Sequence, residues 1–114
     1  MIVREKVTIG IKVASKKPET LFGEKLDKWL KETYGDECWN ENIQQVSIRG
    51  TPDRLICIRG EFIAVELKKD EKAAIAQLQT YKLDKIQKAG GRSYIISPES
   101  FDYFKQEIKF HYPV

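Results

Sequence analysis

The sequence predicts one α/β or α+β domain, in which a sheet is flanked by helices. Residues 55–58 and 62–67 are two apolar runs separated by Arg59-Gly60-Glu61, a pattern typical of a β-hairpin. Segments whose apolar residues recur at helical spacing lie before and after this hairpin. The 114 residues are enough for one domain with a modest core.

The chain before the hairpin begins with loose apolar alternation over residues 2–13, which predicts a strand arm. Pro18 suits the first turn of the first helix, and Gly35 is expected to end that helix. Residues 36–50 are polar, and we expect them to be irregular. The helix has its apolar residues at the expected spacing: Leu21, Phe22, Leu26, Trp29 and Leu30.

The chain after the hairpin predicts a second helix over about residues 73–89, which Gly90-Gly91 ends. Residues 93–96 read as a short strand, and Ser97-Pro98 is expected to cap a last helix. The predicted order is therefore a strand arm, a helix, two strands, a third strand or loop, a helix, a strand and a helix.

Composition excludes several function classes. Cys38, Cys57 and His111 are too few for a structural zinc site, which needs about four ligands. No apolar run approaches the ~20 residues of a membrane span, and the N-terminus lacks the apolar stretch of a signal peptide. We therefore expect an intracellular protein with free thiols and no membrane contact. The net charge of +3 points only weakly to nucleic acid.

Two polar motifs lie at the ends of the apolar hairpin, one before its first strand and one at the end of its second strand. Gly50-Thr51-Pro52-Asp53 is a turn that delivers a carboxylate to the start of a strand, and its simplest interpretation is a polar turn. At the end of the next strand Glu66 and Lys68 share one face, because strand side chains alternate. Charges at the end of a buried strand need a partner or a metal, unless they form a surface ion pair.

Two helical residues complete the candidate site. Gln79 is the polar member of a stripe with Ile75, Leu83 and Ile86, and a buried amide needs hydrogen-bond partners. Glu19 lies on the core side of the first helix, where it either reaches an active site or complements the positive helix N-terminus. Glu24 is the alternative carboxylate of that helix.

Pro52-Asp53 followed by Glu66-Leu67-Lys68 resembles the motif of the PD-(D/E)xK nuclease superfamily. The Gly50-Thr51-Pro52-Asp53 turn, the Gln79 helix ending in glycines, and Glu19-Thr20-Leu21-Phe22 with Leu26 more closely resemble the virus-type replication-repair nuclease (VRR-NUC) domain of small phage proteins. The resemblance covers residues 17–108.

This resemblance implies a restriction-endonuclease-like αβββαβ core with a mixed central sheet. Residues 1–16 would be an extra N-terminal strand arm, and the C-terminal helix an addition at the other end. The third strand of the pattern should lie near residues 43–48, where alternation is partial.

The resemblance also implies a chemistry. Mg²⁺ or Mn²⁺ would be held by Asp53, Glu66, the backbone carbonyl of Leu67, and Glu19 directly or through water. Lys68 would orient the attacking water and offset charge on the phosphate. Gln79 would orient Lys68 or the water shell of the metal.

The implied substrate is DNA, cut by a structure-selective endonuclease that resolves four-way (Holliday) junctions as a homodimer. We expect residues 1–16 to contribute to dimerisation, and the protein to act in the cytoplasm of a bacterium that carries a phage or prophage. Alternatives are a flap-, nick- or end-directed nuclease, or a non-catalytic DNA-binding protein with the same fold. Residues that flank the site are candidate DNA contacts: Arg49, Arg54, Lys69, Lys72 and Arg92.

Overall fold

The computed structural model describes residues 17–43 and 50–114. Within these ranges the chain forms three α-helices and four strands, with short 3₁₀ turns before the first strand and before the last helix. The elements are α1 (Pro18–Tyr34), β1 (Cys38–Asn42), β2 (Arg54–Ile58), β3 (Glu61–Leu67), α2 (Gln77–Lys88), β4 (Arg92–Ile96) and α3 (Phe101–His111).

The four strands form one mixed sheet in the order β1-β2-β3-β4. β2 pairs antiparallel with β1 and with β3, whereas β4 runs parallel to β3. The predicted hairpin turn is the two-residue loop Arg59-Gly60, and both residues have positive φ, as a type I′ turn requires. The predicted α/β class with a mixed sheet between helices is therefore confirmed for the described residues.

One face of the sheet carries the main core. α1 presents one buried residue every four positions to the sheet: Phe22, Leu26, Leu30 and Tyr34. They pack with alternate residues of β2 and β3, and with Phe104 and Ile108 of α3. Because side chains alternate along a strand, Ala64 and Glu66 lie on the opposite face. The α2 helix packs on that second face, where Leu83 is its buried residue.

The structure corrects the prediction that residues 36–50 are irregular, because β1 occupies Cys38–Asn42. This strand is polar and lies at the edge of the sheet, so its backbone pairing with β2 defines it, and no apolar alternation reveals it. Ile43, where we expected the strand to begin, lies just beyond β1. The rest of that predicted strand and the predicted arm at residues 1–16 lie outside the described residues.

The second helix begins at Gln77, four residues later than predicted. The Asp70 carboxylate explains the difference, since its Oδ1 accepts hydrogen bonds from the backbone N–H groups of Lys72 (2.9 Å) and Ala73 (3.0 Å). This turn satisfies the donors that a helix would otherwise use. A loop thus separates the end of β3 from α2.

Candidate functional site

Asp53 and Glu66 face each other across the β2–β3 hairpin. The register pairs Arg54 with Val65, so the next opposed positions are Asp53 and Glu66. Side chains at directly opposed positions lie about 5 Å apart at their Cβ atoms. The Leu67 backbone N–H donates to Asp53 Oδ2 at 2.8 Å, which fixes that carboxylate beside the end of β3. The two acidic residues of the predicted motif are therefore brought together.

The turn before Asp53 depends on its glycine. Gly50 has a φ of +78°, a region that L-residues rarely adopt. A Cβ atom at this position would lie only 2.6 Å from Cγ of Leu78 on α2. Pro52 is buried immediately before Asp53. The turn thus combines a left-handed residue with close packing against the helix that carries Gln79.

We expect Gly50→Ala to lower the free energy of unfolding by at least about 2 kcal/mol, because backbone strain and overlap with Leu78 add together. Gly60→Ala is the matched control, since Gly60 also has positive φ but no atom near its would-be Cβ. That control should lose about 1 kcal/mol from strain alone. Urea denaturation measures both, and equal losses would contradict the role of Leu78.

Glu66 is buried, with 4% of its surface exposed, and Gln79 holds it. Gln79 Nε2 donates to Glu66 Oε2 at 2.5 Å, and Gln79 Oε1 accepts the Ala76 backbone N–H at 3.2 Å. The second bond determines which end of the amide faces the carboxylate. The predicted contact between the Gln79 stripe and the sheet residue Glu66 is thus present.

The other oxygen of Glu66, Oε1, is buried and has no hydrogen-bond partner among the described residues. Burial, together with the negative charge of nearby Asp53, raises the pKa of Glu66 to about 8. The protein therefore disfavours two ionised carboxylates at this point. A cation between them would relieve the repulsion and give Oε1 a partner.

Lys68 directly follows β3, two residues after Glu66. Its Nζ donates to the backbone carbonyl of Glu71 at 2.8 Å, and its own N–H donates to Ile96 O at 2.8 Å. The Glu71 carboxylate in turn accepts a hydrogen bond from the buried Ser97 hydroxyl. The ammonium is thus held at the start of the loop that leads from β3 to α2.

Glu19 is not brought into this cluster. It is half-buried in the first turn of α1, which packs on the opposite face of the sheet from Glu66. Over residues 17–43 and 50–114, no group of three or more His, Cys, Asp or Glu side chains is placed to hold a metal. Neither Glu19 nor the alternative Glu24 therefore forms a three-carboxylate site with Asp53 and Glu66.

Arg54 corrects one predicted DNA contact. Only 2% of Arg54 is exposed, because it follows Asp53 in the chain and so points to the face under α1. Its Nε and Nη2 donate to the Asp27 carboxylate at 2.8 and 3.1 Å, and its Nη1 donates to the Asp53 carbonyl at 3.2 Å. The guanidinium is buried and hydrogen-bonded inside the protein, so it is not available to contact a phosphate.

The remaining predicted DNA contacts divide into three groups. Lys69 and Lys72 are exposed beside the loop after β3. Arg92 pairs with Ile63, three residues before Glu66, and its Nε donates to the Tyr112 hydroxyl at 3.0 Å. Arg92 therefore lies towards the far end of β3 from the carboxylates. Arg49 lies outside the described residues.

A polar cluster that we did not predict supports the site from the α1 face. Asp27 accepts the Asn40 amide at 2.7 Å in addition to Arg54. Gly23 makes room for this arrangement, since a Cβ atom there would lie 2.4 Å from Arg54 Nη2. Strand alternation could have predicted that Arg54 points to the α1 face, because the adjacent residues Asp53 and Arg54 cannot both face the site.

The described donors fit a hard divalent cation. Asp53 and Glu66 supply carboxylate oxygens, the ligands that Mg²⁺ and Mn²⁺ prefer, and one of these oxygens is buried and unpartnered. The Leu67 backbone N–H donates a hydrogen bond to Asp53, so the Leu67 backbone lies beside these carboxylates. Water would supply the remaining positions, as is usual for Mg²⁺.

Two solved structures share this fold. One, a "VRR_NUC domain", matches with a TM-score of 0.58 and 22% identity, covering 87% of this chain and 100% of that chain. Another, a "VRR_NUC domain protein", matches with a TM-score of 0.61 and 16% identity, covering 84% and 92%. The predicted resemblance is thus confirmed as a structural match over most of the chain.

Sequence comparison adds no closer assignment. No protein-family model matches the sequence, and no curated protein matches it significantly. None of the helices in the described part of the chain is long and apolar enough to span a membrane.

Proposed function

We propose that this protein is a divalent-metal-dependent endonuclease that hydrolyses phosphodiester bonds in DNA. The observation that carries the proposal is the buried, unpartnered Oε1 of Glu66, placed opposite Asp53 at the end of a buried strand. A structural carboxylate in this setting would be paired, whereas a metal ligand needs a free oxygen. The VRR_NUC fold of the matched structures supports the same assignment.

Each site residue has a distinct task in this proposal. Asp53 and Glu66 hold the cation, and the bond from Leu67 N–H keeps Asp53 in place. Gln79 orients Glu66 and leaves its second oxygen free. Lys68 places a positive charge beside the phosphate, where negative charge develops during hydrolysis. The bound cation would polarise the phosphate and activate the attacking water.

For the substrate we propose branched DNA, with the four-way junction as the first candidate. A homodimer with twofold symmetry would present two such sites to two opposed strands of a junction. A non-catalytic DNA-binding protein is disfavoured, because two carboxylates near a phosphate repel it unless a cation lies between them. Comparing the mass in solution of the full chain with that of a variant lacking residues 1–16 tests whether these residues contribute to the proposed dimer.

A cleavage assay tests the proposal directly. Four-way junction, flap, nicked and intact duplex DNA are incubated with the full chain in Mg²⁺, Mn²⁺ or EDTA. We expect metal-dependent products, with a branched substrate cut in preference to intact duplex. Binding without cleavage under every metal condition would overturn the nuclease proposal and favour a DNA-binding protein.

Metal binding should also appear in the stability of the protein as a function of pH. Because its pKa is raised from 4.5 to about 8, Glu66 favours the folded metal-free state when protonated. That contribution is complete below the unfolded pKa and is lost as pH rises through about 8. A cation replaces the proton, so Mg²⁺ or Mn²⁺ should raise the melting temperature more at about pH 9 than at about pH 6.

Glu66→Gln provides the control for this measurement, since it keeps the shape of the side chain and removes its titration. The variant should show a small melting-temperature shift with metal at both pH values. If wild type and Glu66→Gln respond to metal equally, Glu66 is not a ligand.

A further inference from the structure

The outer face of α2 carries an exposed apolar and basic patch beside the candidate site. Leu78, Tyr81 and Lys85 are spaced by three and four residues, so they share one side of the helix. We call these three residues the α2 patch. Tyr81 is 58% exposed and Leu78 is 41% exposed, and neither belongs to the core. Lys85 Nζ lies 5.8 Å from the centre of the Tyr81 ring.

The α2 patch is connected to the proposed metal site by Leu78 and by the neighbour of Leu78 in the helix, Gln79. Leu78 packs against Gly50, at the start of the turn that delivers Asp53. Gln79, the next residue along the helix, donates to Glu66. A nucleic-acid strand that leaves the site along this side of α2 would therefore meet the patch within the first turns of the helix.

The charge of the α2 patch favours a polyanion. Lys85 is its charged residue, and the acidic residue of α2, Asp84, forms an ion pair with Lys88 at 3.0 Å. An exposed aromatic ring next to a lysine is the combination by which proteins bind unpaired nucleic-acid strands, with bases stacking on the ring and phosphates contacting the cation. Bases in an intact duplex are already stacked and do not offer a face to the ring.

We propose that the α2 patch binds an unpaired strand of DNA next to the cleavage site, with Tyr81 stacking on a base and Lys85 contacting a phosphate. This inference rests on the proposed function and deepens it, because it identifies the element that would distinguish branched or single-stranded DNA from intact duplex. The occupant is a single strand; a second copy of this chain is the competing outcome.

Binding measured without cleavage tests this inference. Fluorescence anisotropy in EDTA compares a labelled single strand, a flap substrate and a blunt duplex. Tyr81→Ala should weaken binding of the single strand and the flap about tenfold and leave duplex binding nearly unchanged. Tyr81→Phe keeps a stacking ring and should retain the affinity. Tyr103→Ala is the matched control, because Tyr103 is 69% exposed on α3, away from the patch.

Three outcomes would overturn the inference. Tyr81→Ala binds the single strand as wild type does, or it loses affinity for duplex and single strand equally. Alternatively, it converts a dimer to a monomer with unchanged DNA affinity, which would make the α2 patch a self-association surface. Far-UV circular dichroism confirms that each variant is folded.

The binding assay also separates this inference from the proposed function. If wild type cleaves no DNA but the Tyr81-dependent affinity is present, the single-strand surface stands and the nuclease proposal fails. If wild type cleaves DNA while Tyr81→Ala binds every substrate normally, the nuclease proposal stands and the α2 patch has no part in substrate binding.

Discussion

Glu66→Ala is expected to reduce metal-dependent DNA cleavage by at least about a thousandfold, because it removes one of the two carboxylates that would hold the metal. In the described part of the chain, Asp53 would then be the single acidic residue left at the site. Single-turnover cleavage with excess enzyme measures the loss. DNA affinity in EDTA should not fall, since removing a buried negative charge does not weaken phosphate contacts.

Lys68→Ala and Glu99→Ala complete this experiment. Lys68→Ala should lower cleavage by about a hundredfold while the metal-induced rise in melting temperature is retained, because the ammonium acts on the phosphate and not on the metal. Glu99 is exposed on the 3₁₀ turn before α3, and its loss should leave the rate unchanged. Wild-type cleavage by Glu66→Ala would exclude the assigned site.

The second large effect is on stability. Arg54→Ala should lower the free energy of unfolding by roughly 3 kcal/mol, because the Asp27 carboxylate loses the two hydrogen bonds from Arg54, keeps the one from Asn40, and a cavity opens under α1. Asp27 is 38% exposed, so water would solvate part of its charge and limit the loss. Urea denaturation with far-UV circular dichroism measures the change.

Arg59→Ala is the matched control for Arg54. Arg59 also pairs with an acidic residue, Glu37, at 3.0 Å, but both side chains are exposed, at 37% and 58%. Its loss should cost less than about 1 kcal/mol, as for surface ion pairs generally. Equal losses in the two variants would contradict a buried role for Arg54.

Side-chain patterns predicted the parts of the fold in which burial is periodic. The β2–β3 hairpin, α1 and β4 follow from alternation and helical spacing. β1 could not be predicted in this way, because an edge strand with polar residues is specified by backbone pairing to β2. The start of α2 was misplaced because the Asp70 turn competes locally with the helix.

Sequence reasoning predicted those residues of the site whose positions are fixed by local strand pairing. Asp53 and Glu66 meet because one hairpin register fixes both. Glu19 is different, since its position depends on how α1 packs on the sheet, and the helical wheel gives no information about that. Arg54 was predicted as a DNA contact because it flanks the site, although its position next to Asp53 already directed it to the opposite face of the sheet.

The two hydrogen bonds of Gln79 have a thermodynamic consequence. One amide joins the first turn of α2 to Glu66, and Leu83 is the buried residue of that helix. If two ligands that bind on opposite sides of the same helix change each other's affinity, the two changes must be equal. If DNA on the outer side of α2 tightens metal binding by some factor, metal must tighten DNA binding by the same factor. Cation and substrate would then assemble as one cooperative unit.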